Sequence, residues 1–453
     1  MQERNWNHRQ FRNGNTRKKF QTRERMKISS PEKGVGVQER NWNHRQFRNG
    51  NTRKKFQTRE RMKISSPEKG VGVQERNWNR RHIMAHIKRI DLARDYEAHK
   101  EEYQDAIARV CRETAFSGGK YADAFDREFA AYVGTKYASG VNNGTSALHL
   151  AMLALGVGPG DEVIVPANTY IATAWGVTYT GAVPVFADCT ADTWEIDPAA
   201  LEAKITPRTK GIIGVHLYGQ PFDYGAVKEV ADRHGLFVVE DCAQAHGARF
   251  AGKNVGTLGE MGCFSFYPGK NLYAFGEGGS VTCDREDYFK HIHRLKNQGC
   301  DVRYYHDEVG YNYRLEGIQG AVLSVSLQYL PQWTARRQEI GRRYLREVVN
   351  PLITMQRHPE NTEPVFHLFV VTVEDRDGFL QYMADADVEC NMHYPVPCHL
   401  QKAYGHLGYQ KGDCPNAEYL AEHCVTLPLF PEMREEEIVR VIGLCNGWRR
   451  ADG

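Results

Sequence analysis

The sequence predicts an α/β fold that is built on a mostly parallel β-sheet. Between residues 95 and 241, short apolar segments alternate with helical ones. Strands that are apolar on both faces and joined by helices are typical of parallel sheets, because helices then cover both faces. After about residue 329, a long helix and a mixed run of strands and helices indicate a second, smaller α/β domain. We therefore expect a large domain over 84–330 and a small C-terminal domain over 331–453.

The individual elements follow from the period of the apolar residues. Amphipathic patterns predict two helices ahead of the sheet, over 96–114 and 123–132. Apolar runs between turn residues predict strands over 137–141, 162–165, 183–187, 211–215 and 236–240. The stretches between the strands predict helices over 146–155, 170–179, 198–203 and 223–234, and the long later helix covers about 330–348. This alternation of strand and helix is what a parallel sheet requires.

The first 83 residues contain a tandem repeat. The string QERNWN begins at Gln2, Gln38 and Gln74, and residues 2–36 recur unchanged at 38–72. The repeat has almost no aliphatic residues, so it cannot bury enough surface to offset the entropy that ordering would cost. We therefore predict that this basic 36-residue repeat is disordered over 1–83.

Charge also separates the repeat from the rest of the chain. Residues 1–83 hold 23 Lys and Arg against 7 Asp and Glu, whereas the remainder holds 36 against 49. Basic residues interleaved with aromatic ones could bind nucleic acid or an anionic surface. Identical copies favour another interpretation, in which a recent repeat is read in frame ahead of a native start at Met84. On that interpretation we expect no nucleic-acid partner.

Composition excludes several classes of protein. The chain has 453 residues, of which 41% are hydrophobic and 25% charged, as in ordinary globular proteins. No apolar run reaches the roughly 18 residues of a membrane span, and no apolar leader opens the sequence. The eleven cysteines are scattered without a C-x-x-C pair, which predicts reduced thiols, no metal site and a cytoplasmic protein.

A phosphate-binding turn is the first candidate functional segment. Residues 142–147 (NNGTSA) lie between a predicted strand and a predicted helix. Gly144 permits close backbone approach, and the hydroxyls of Thr145 and Ser146, with the free N–H groups of a helix start, could bind a phosphate. An ordinary helix N-cap explains the same residues equally well.

An aspartate at a strand end is the second candidate. The run LFVVED over 236–241 reads as an apolar strand that ends in acids. Asp241 therefore lies at the carboxyl end of a strand, where open α/β sheets bind their ligands. A carboxylate there could keep a pyridine nitrogen protonated and make the ring an electron sink. A helix-capping aspartate is the alternative interpretation.

The third candidate is a lysine that lies outside any charged helical face. Lys270 follows the aromatic, Pro-Gly-bent run CFSFYPG over 263–269. A partly desolvated lysine loses its proton more readily and becomes a nucleophile, as formation of a Schiff base requires. A surface lysine with its charge in solvent is the alternative.

An arginine is the fourth candidate. Arg314 lies in GYNYRL over 310–315, which follows GEGG over 276–279. Its guanidinium could hold a carboxylate or a phosphate with two hydrogen bonds. A structural salt bridge would explain this arginine equally well.

Together these segments resemble the DegT/DnrJ/StrS family of sugar aminotransferases. The resemblance rests on NNGTSAL, EDCAQAHGA, SFYPGKN, GEGG and GYNYRLEGIQGA, in this order, and covers about residues 90–450. It implies a fold-type I enzyme that depends on pyridoxal 5′-phosphate (PLP). It also implies a large domain with a seven-stranded, mostly parallel sheet between helices.

The resemblance implies roles for individual residues. Lys270 matches the lysine that binds PLP as a Schiff base, and Asp241 matches the acid that pairs with the pyridine nitrogen. Tyr170 matches the aromatic residue that stacks on the ring, and Gln244, one helical turn after Asp241, matches the glutamine beside it. The residues implied to bind the cofactor are Gly144, Thr145, Ser146, Tyr170, Asp241, Gln244, Ser265, Lys270 and Asn312.

Two of the implied roles concern a partner subunit and the substrate. Asn312 resembles the asparagine that reaches the cofactor phosphate from the neighbouring subunit, so a homodimer with shared active sites is expected. Arg314 lies beside it and is expected to read substrate charge.

The implied reaction moves an amino group from an amino acid, expected to be L-glutamate, to a nucleotide-linked keto sugar in amino-sugar biosynthesis. Residues 392–401 (MHYPVPCHLQ) resemble members that aminate a 3-keto hexose. A C4-keto sugar or cyclitol aminotransferase is an alternative. So is a sugar dehydratase that uses PLP or pyridoxamine phosphate, in which histidine would replace Lys270. A regulatory protein with this fold would be expected to lack Lys270 or Asp241, and both are present.

Overall fold

The computed structural model describes residues 86–450 of the chain. The predictions for the repeat over 1–83 therefore fall outside the described residues. The described α-helices are Leu92–Glu113 (α1), Lys120–Val133 (α2), Gly144–Ala154 (α3), Ala172–Thr178 (α4), Pro198–Leu201 (α5), Tyr224–His234 (α6), Glu286–Lys296 (α7), Gly317–Glu347 (α8), Arg376–Asp385 (α9), Pro415–His423 (α10) and Glu435–Gly447 (α11). Short 3₁₀ helices cover Glu202–Lys204, Leu217–Gly219, Cys398–Leu400 and Lys402–Leu407.

The β-strands of the described residues form three sheets. These strands are Tyr137–Val141 (β1), Glu162–Pro166 (β2), Val183–Ala187 (β3), Thr209–Val215 (β4), Phe237–Asp241 (β5), Arg249–Phe250 (β6), Lys253–Asn254 (β7), Met261–Ser265 (β8), Gly279–Cys283 (β9), Thr354–Met355 (β10), Thr362–Glu363 (β11), Phe369–Thr372 (β12) and Cys424–Leu427 (β13). Every strand that the sequence predicted is present to within two residues at each end.

The large sheet has seven strands in the order β1-β9-β8-β5-β4-β2-β3. Pairing is parallel from β8 through β5, β4 and β2 to β3, and β9 runs antiparallel to both of its neighbours. The prediction of a seven-stranded, mostly parallel α/β sheet is confirmed. Because β1, β5 and β8 run in the same direction, their carboxyl ends share one edge of the sheet, where such sheets bind ligands.

Both faces of this sheet are covered. In β2, Val163 packs in a cluster with Leu150 of α3, whereas its neighbour Ile164 packs in another cluster with Val227 of α6. All of these side chains are buried. Alternate residues of a strand point to opposite faces, so an apolar residue at every position requires helices on both sides.

The sequence patterns did not predict β8 and β9, which complete the sheet. Gly262 interrupts the apolar run of β8, and glycine ordinarily weakens a strand. In the folded chain a Cβ at Gly262 would lie 2.5 Å from Cα of Gly256, so glycine is required there for close packing of two backbone segments. A contact with a separate turn of the chain cannot be read from local periodicity.

The long helix was predicted to begin too late. It was expected over about 330–348, whereas α8 begins at Gly317. Pro331 lies inside α8 and is disfavoured in a helix interior, which misplaces the predicted start. Glycine is also a poor helix former, but a Cβ at Gly320 would lie 2.8 Å from Cα of Ala122. Glycine therefore allows α8 to pack closely against α2.

A second core follows α8. Strands β10, β12 and β13 form a three-stranded antiparallel sheet. Tyr344 of α8, Val371 of β12 and Val441 of α11 pack in one buried cluster with this sheet. Ile87 belongs to the same cluster and forms a β-bridge with Val388. The start of the described chain is thereby held against the C-terminal core.

Within residues 86–450, no helix combines the length and the apolar character that crossing a membrane would need.

Candidate active site

A cavity of about 700 Å³ opens at the edge where β1, β5 and β8 end. Its lining combines residues of the large sheet with residues of the C-terminal part. Among the residues that line it are Arg89, Gly144, Thr145, Tyr170, Asp241, Gln244, Ser265, Lys270, Glu277, His367, His393 and Tyr394. Seven residues expected at a cofactor site from the sequence thus lie around one cavity.

One end of the cavity is the turn between β1 and α3. Asn143 caps α3, and its Oδ1 accepts a hydrogen bond from the Ser146 N–H at 2.8 Å. A Cβ at Gly144 would lie 2.7 Å from Cβ of Ser265, so only glycine lets the helix start approach the end of β8 this closely. The approach brings Thr145 and Ser265 to the same wall. A helix start flanked by hydroxyls is suited to bind a phosphate.

Ser146 does not reach the cavity. It is buried and is not among the lining residues, although the sequence placed it with Thr145 as a phosphate ligand. Its backbone N–H is already taken by the N-cap. The N-cap is therefore formed by Asn143 with Ser146, and phosphate binding by the other residues of the turn stays a prediction.

Asp241 ends β5 and is buried against the cavity. Its Oδ2 accepts a hydrogen bond from the Thr173 hydroxyl at 2.8 Å, and its Oδ1 accepts one from the Ala243 N–H at 3.1 Å. Burial raises the pKa of Asp241, and these two hydrogen bonds and the charge of Lys270 only partly oppose the rise. A cation placed against this carboxylate would therefore be strongly favoured.

Lys270 lies in the loop after β8. The Lys270 N–H donates to the Tyr267 carbonyl at 2.8 Å and closes the turn that contains Pro268 and Gly269. The side chain has some accessible surface because it lines the cavity, but protein surrounds it otherwise. Burial lowers the pKa of its ammonium to about 8, and attraction to Asp241 opposes this. An amine of this pKa is available as a nucleophile near neutral pH.

The comparison with known proteins agrees with this geometry. The model of the DegT/DnrJ/EryC1/StrS aminotransferase family matches residues 97–445. The chain belongs to this family. It is therefore an aminotransferase, and its cofactor is PLP.

Two curated relatives and one solved structure are similar to the aminotransferase over nearly their whole lengths. A Streptomyces venezuelae dTDP-3-amino-3,4,6-trideoxy-alpha-D-glucose transaminase is 42% identical over 79% of this chain and 95% of its own. An Aneurinibacillus thermoaerophilus dTDP-3-amino-3,6-dideoxy-alpha-D-galactopyranose transaminase is 42% identical over 79% and 98%. The crystal structure of S. venezuelae DesV with a ketimine intermediate has a TM-score of 0.79 at 42% identity, covering 80% of this chain and 98% of that one.

The residues of the cavity fit PLP in three respects. A phosphate suits the turn at Gly144 and Thr145, an aldehyde suits the amine of Lys270, and a protonated ring nitrogen suits the buried carboxylate of Asp241. The carboxylate is buried with a raised pKa, so a ring cation against it would replace the hydration lost on folding.

Gln244 contacts the aromatic wall of the aminotransferase cavity. Its Nε2 donates to the Tyr394 hydroxyl at 3.0 Å, and its Oε1 accepts the Tyr218 N–H at 2.5 Å. The ring of Tyr170 lies 5.4 Å from that of Tyr394 and is half exposed. Gln244 was expected one helical turn after Asp241, but it lies in a non-helical turn, because the chain bends away directly after β5.

Asn312 and Arg314 do not line the cavity of their own chain. Asn312 is exposed, and its backbone forms a bridge with Asn297. Arg314 donates from Nη1 to Oδ1 of the same Asn297 at 3.1 Å. The substrate role of Arg314 stays a prediction, and within its own chain the guanidinium contacts Asn297 and not the cavity.

Sequence reasoning missed several lining residues from distant segments. Nδ1 of His367 lies 3.1 Å from Oδ1 of Asn271, and Nδ1 of His393 lies 2.7 Å from Oγ1 of Thr426. Burial lowers the pKa of both histidines, that of His393 to about 4, so both face the cavity as neutral rings. His393 lies in the motif that suggested a sugar subsite, whereas nothing in the local sequence pointed to Arg89.

One close group of metal-binding residue types was not expected from sequence spacing. His216, Glu240 and Cys242 are buried together within the described part of the chain. The Glu240 carboxylate accepts the N–H groups of Gly256, Leu258 and Gly259 at 2.7 to 2.9 Å and lies 3.0 Å from Nε2 of His216. Both oxygens are thus occupied by hydrogen bonds that hold the end of β5 in place beside Asp241.

Proposed function

We propose that this aminotransferase moves an amino group from an amino-acid donor, expected to be L-glutamate, to a nucleotide-linked keto sugar. The expected acceptor is a 3-keto hexose, because both curated relatives named above are transaminases of dTDP-linked 3-amino sugars. The observation that carries the proposal is one cavity in which the low-pKa amine of Lys270 and the buried carboxylate of Asp241 are both lining groups.

The residues of the chain divide the chemistry between them. Bound PLP supplies an aldehyde that captures amines and a ring that withdraws electrons. Lys270 would hold the cofactor at rest. Its freed Nζ would take the proton from Cα of the donor and deliver a proton to the former aldehyde carbon, and in the acceptor half-reaction it would carry out the same transfer in reverse. An amine with a pKa of about 8 suits both directions of transfer, since its two protonation states are close in energy near neutral pH.

The other lining residues orient the cofactor. Asp241 keeps a proton on the ring nitrogen, and Thr173 and Ala243 hold the carboxylate in position through its two oxygens. Gly144, Thr145 and Ser265, which line the cavity, would bind the phosphate, and Tyr170 would supply an aromatic ring for contact with the pyridine. Asn312 completes the site from a second copy of the chain, so the active form is a homodimer.

The decisive experiment replaces Lys270. Lys270→Ala should abolish transamination with glutamate and a panel of 3-keto and 4-keto nucleotide sugars, and it should remove the absorbance of covalently held PLP. Lys253→Ala, an exposed lysine in β7 that does not line the cavity, is the matched control and should leave both unchanged. A fully active Lys270→Ala variant would refute the assignment.

The same panel of nucleotide sugars tests which keto position of the sugar receives the amino group. A preference for 3-keto over 4-keto acceptors supports the expected substrate. Turnover of 4-keto sugars alone, or elimination of a hydroxyl without amine transfer, would replace it with one of the alternative reactions.

A further inference from the structure

Arg89 lies where the start of the described chain meets the cavity. The backbone two residues before it is fixed, because Ile87 donates to the Asp387 carbonyl at 3.0 Å and accepts from the Glu389 N–H at 2.8 Å. The Arg89 N–H donates to Oε2 of Glu389 at 3.3 Å. The guanidinium is therefore carried on a rigid segment that lines the same cavity as Lys270.

The charge of Arg89 is not paired within residues 86–450. No carboxylate lies within 4.0 Å of its guanidinium, and its side chain makes no hydrogen bond to another described residue. Arg94, five residues further on, is paired by contrast, because it donates two hydrogen bonds of 2.8 and 2.7 Å to the Glu437 carboxylate. Burial lowers the pKa of Arg89, and only the more distant Glu389 and Tyr394 oppose this.

A half-buried, unpaired guanidinium has lost hydration without gaining an ion pair. An anion that enters the cavity would supply the missing partner, and a planar carboxylate or a phosphate matches its donors in pairs. Lys270 is the other cationic residue among those that line the cavity, and its amine is taken by the cofactor. In the proposed function, the turn at Gly144 and Thr145 binds the cofactor phosphate. The anion that pairs with Arg89 is therefore expected to belong to a substrate.

We propose that Arg89 is a substrate-binding residue that holds an anionic group of the reactants through paired hydrogen bonds. The anion is a carboxylate of the amino donor or a phosphate of the nucleotide sugar, since both reactants use one cavity in turn. This inference rests on the proposed function, and it assigns to Arg89 the charge recognition that the sequence analysis had placed on Arg314.

The experiment separates the two half-reactions with the full-length holoenzyme. In the first, the PLP form reacts with glutamate in a single turnover that is followed by cofactor absorbance. In the second, the pyridoxamine phosphate form reacts with a keto nucleotide sugar. Arg89→Met should lower the apparent second-order rate constant of at least one half-reaction by about 10- to 100-fold, through weaker binding more than a slower limiting rate.

The two sources of the anion give different results. A loss with glutamate alone identifies the donor carboxylate, and a loss with the nucleotide sugar alone identifies the phosphate. Arg89→Lys keeps the charge but not the paired geometry and should recover only part of the loss. Lys88→Met is the matched control, because Lys88 is exposed, pairs with Asp91 at 3.2 Å and does not line the cavity.

Unchanged rate constants for Arg89→Met in both half-reactions would overturn the inference. A general structural defect is recognised separately, since it would also lower the melting temperature and the covalent binding of PLP. If the wild-type enzyme aminates no nucleotide sugar, the proposed acceptor fails, but the glutamate half-reaction still tests Arg89. If the wild type aminates sugars and Arg89→Met does so equally well, the inference alone fails.

Discussion

At the scale of single residues, burial shifts the pKa values of a lysine and an aspartate of the cavity in opposite directions. Burial lowers the pKa of Lys270 to about 8 and raises the pKa of Asp241. Each group also stabilises the charge of the other, so the pair is less perturbed than either residue would be alone. The amine is thereby kept reactive, while the carboxylate keeps enough negative character to attract a ring cation.

The first prediction concerns pH. The rate at which the apoenzyme binds PLP covalently should rise with pH through a midpoint of about 8, because burial disfavours the ammonium and the neutral amine forms at lower pH than in an ordinary lysine. Stopped-flow absorbance between pH 6 and 11 measures the midpoint to within about one pH unit. Asp241→Asn removes the attraction that favours the charged form and should move the midpoint lower still. A wild-type midpoint at the ordinary lysine value of 10.5 would contradict the desolvation of Lys270.

At the scale of secondary structure elements, the site depends on where strands end and how closely a helix approaches. Asp241 is the last residue of β5, Ser265 the last of β8, and Gly144 the first of α3. These three ends meet because β1, β5 and β8 are parallel. The approach of α3 to β8 leaves no room for a side chain at Gly144.

The second prediction follows from this contact. Gly144→Ala should weaken PLP binding by about 10-fold or more, because its Cβ would lie 2.7 Å from that of Ser265 and push the phosphate turn away from β8. Fluorescence titration of the apoenzyme with PLP measures the effect. Gly158→Ala is the matched control, since its Cβ would meet nothing within 4 Å. Equal affinities for the two variants would show that the turn does not hold the phosphate.

At the scale of the whole molecule, the position of Asn312 is the informative feature. It is exposed and absent from the lining of its own cavity, although the family resemblance implies that it binds the cofactor phosphate. Both facts are reconciled if each site of a two-fold symmetric dimer receives Asn312 from the other subunit. We therefore propose that Asn312 acts across the interface of a homodimer.

The third prediction tests the shared site by complementation. Asn312→Ala and Lys270→Ala homodimers should each have strongly reduced activity, because every site lacks one group. Co-expressed in equal amounts, the two variants should recover about one quarter of wild-type activity, since half of the dimers are mixed and each mixed dimer has one intact site. The measurement is the activity of the whole purified mixture, compared with that of the same amount of wild-type enzyme. A mixture no more active than its components would mean that Asn312 does not act across an interface.

The sequence by itself determined the local and chemical features of this protein. Residue periodicity predicted β1 and β3 with their observed bounds, and the acids after an apolar run placed Asp241 at the end of β5. The order of the motifs was sufficient to recognise the family and to predict Lys270 as the lysine that binds PLP. Each motif consists of neighbouring residues, so the sequence contains it directly.

Only the tertiary structure decided the features that depend on distant residues. β8 needs a glycine because another turn packs on it, and α8 continues through Pro331 because packing against α2 supports its first half. Arg89, His367 and His393 reach the cavity from segments far apart in sequence. The pKa of Lys270 likewise comes from burial by residues that fold over it. Packing and desolvation are sums over contacts between separate segments, so a local pattern cannot contain them.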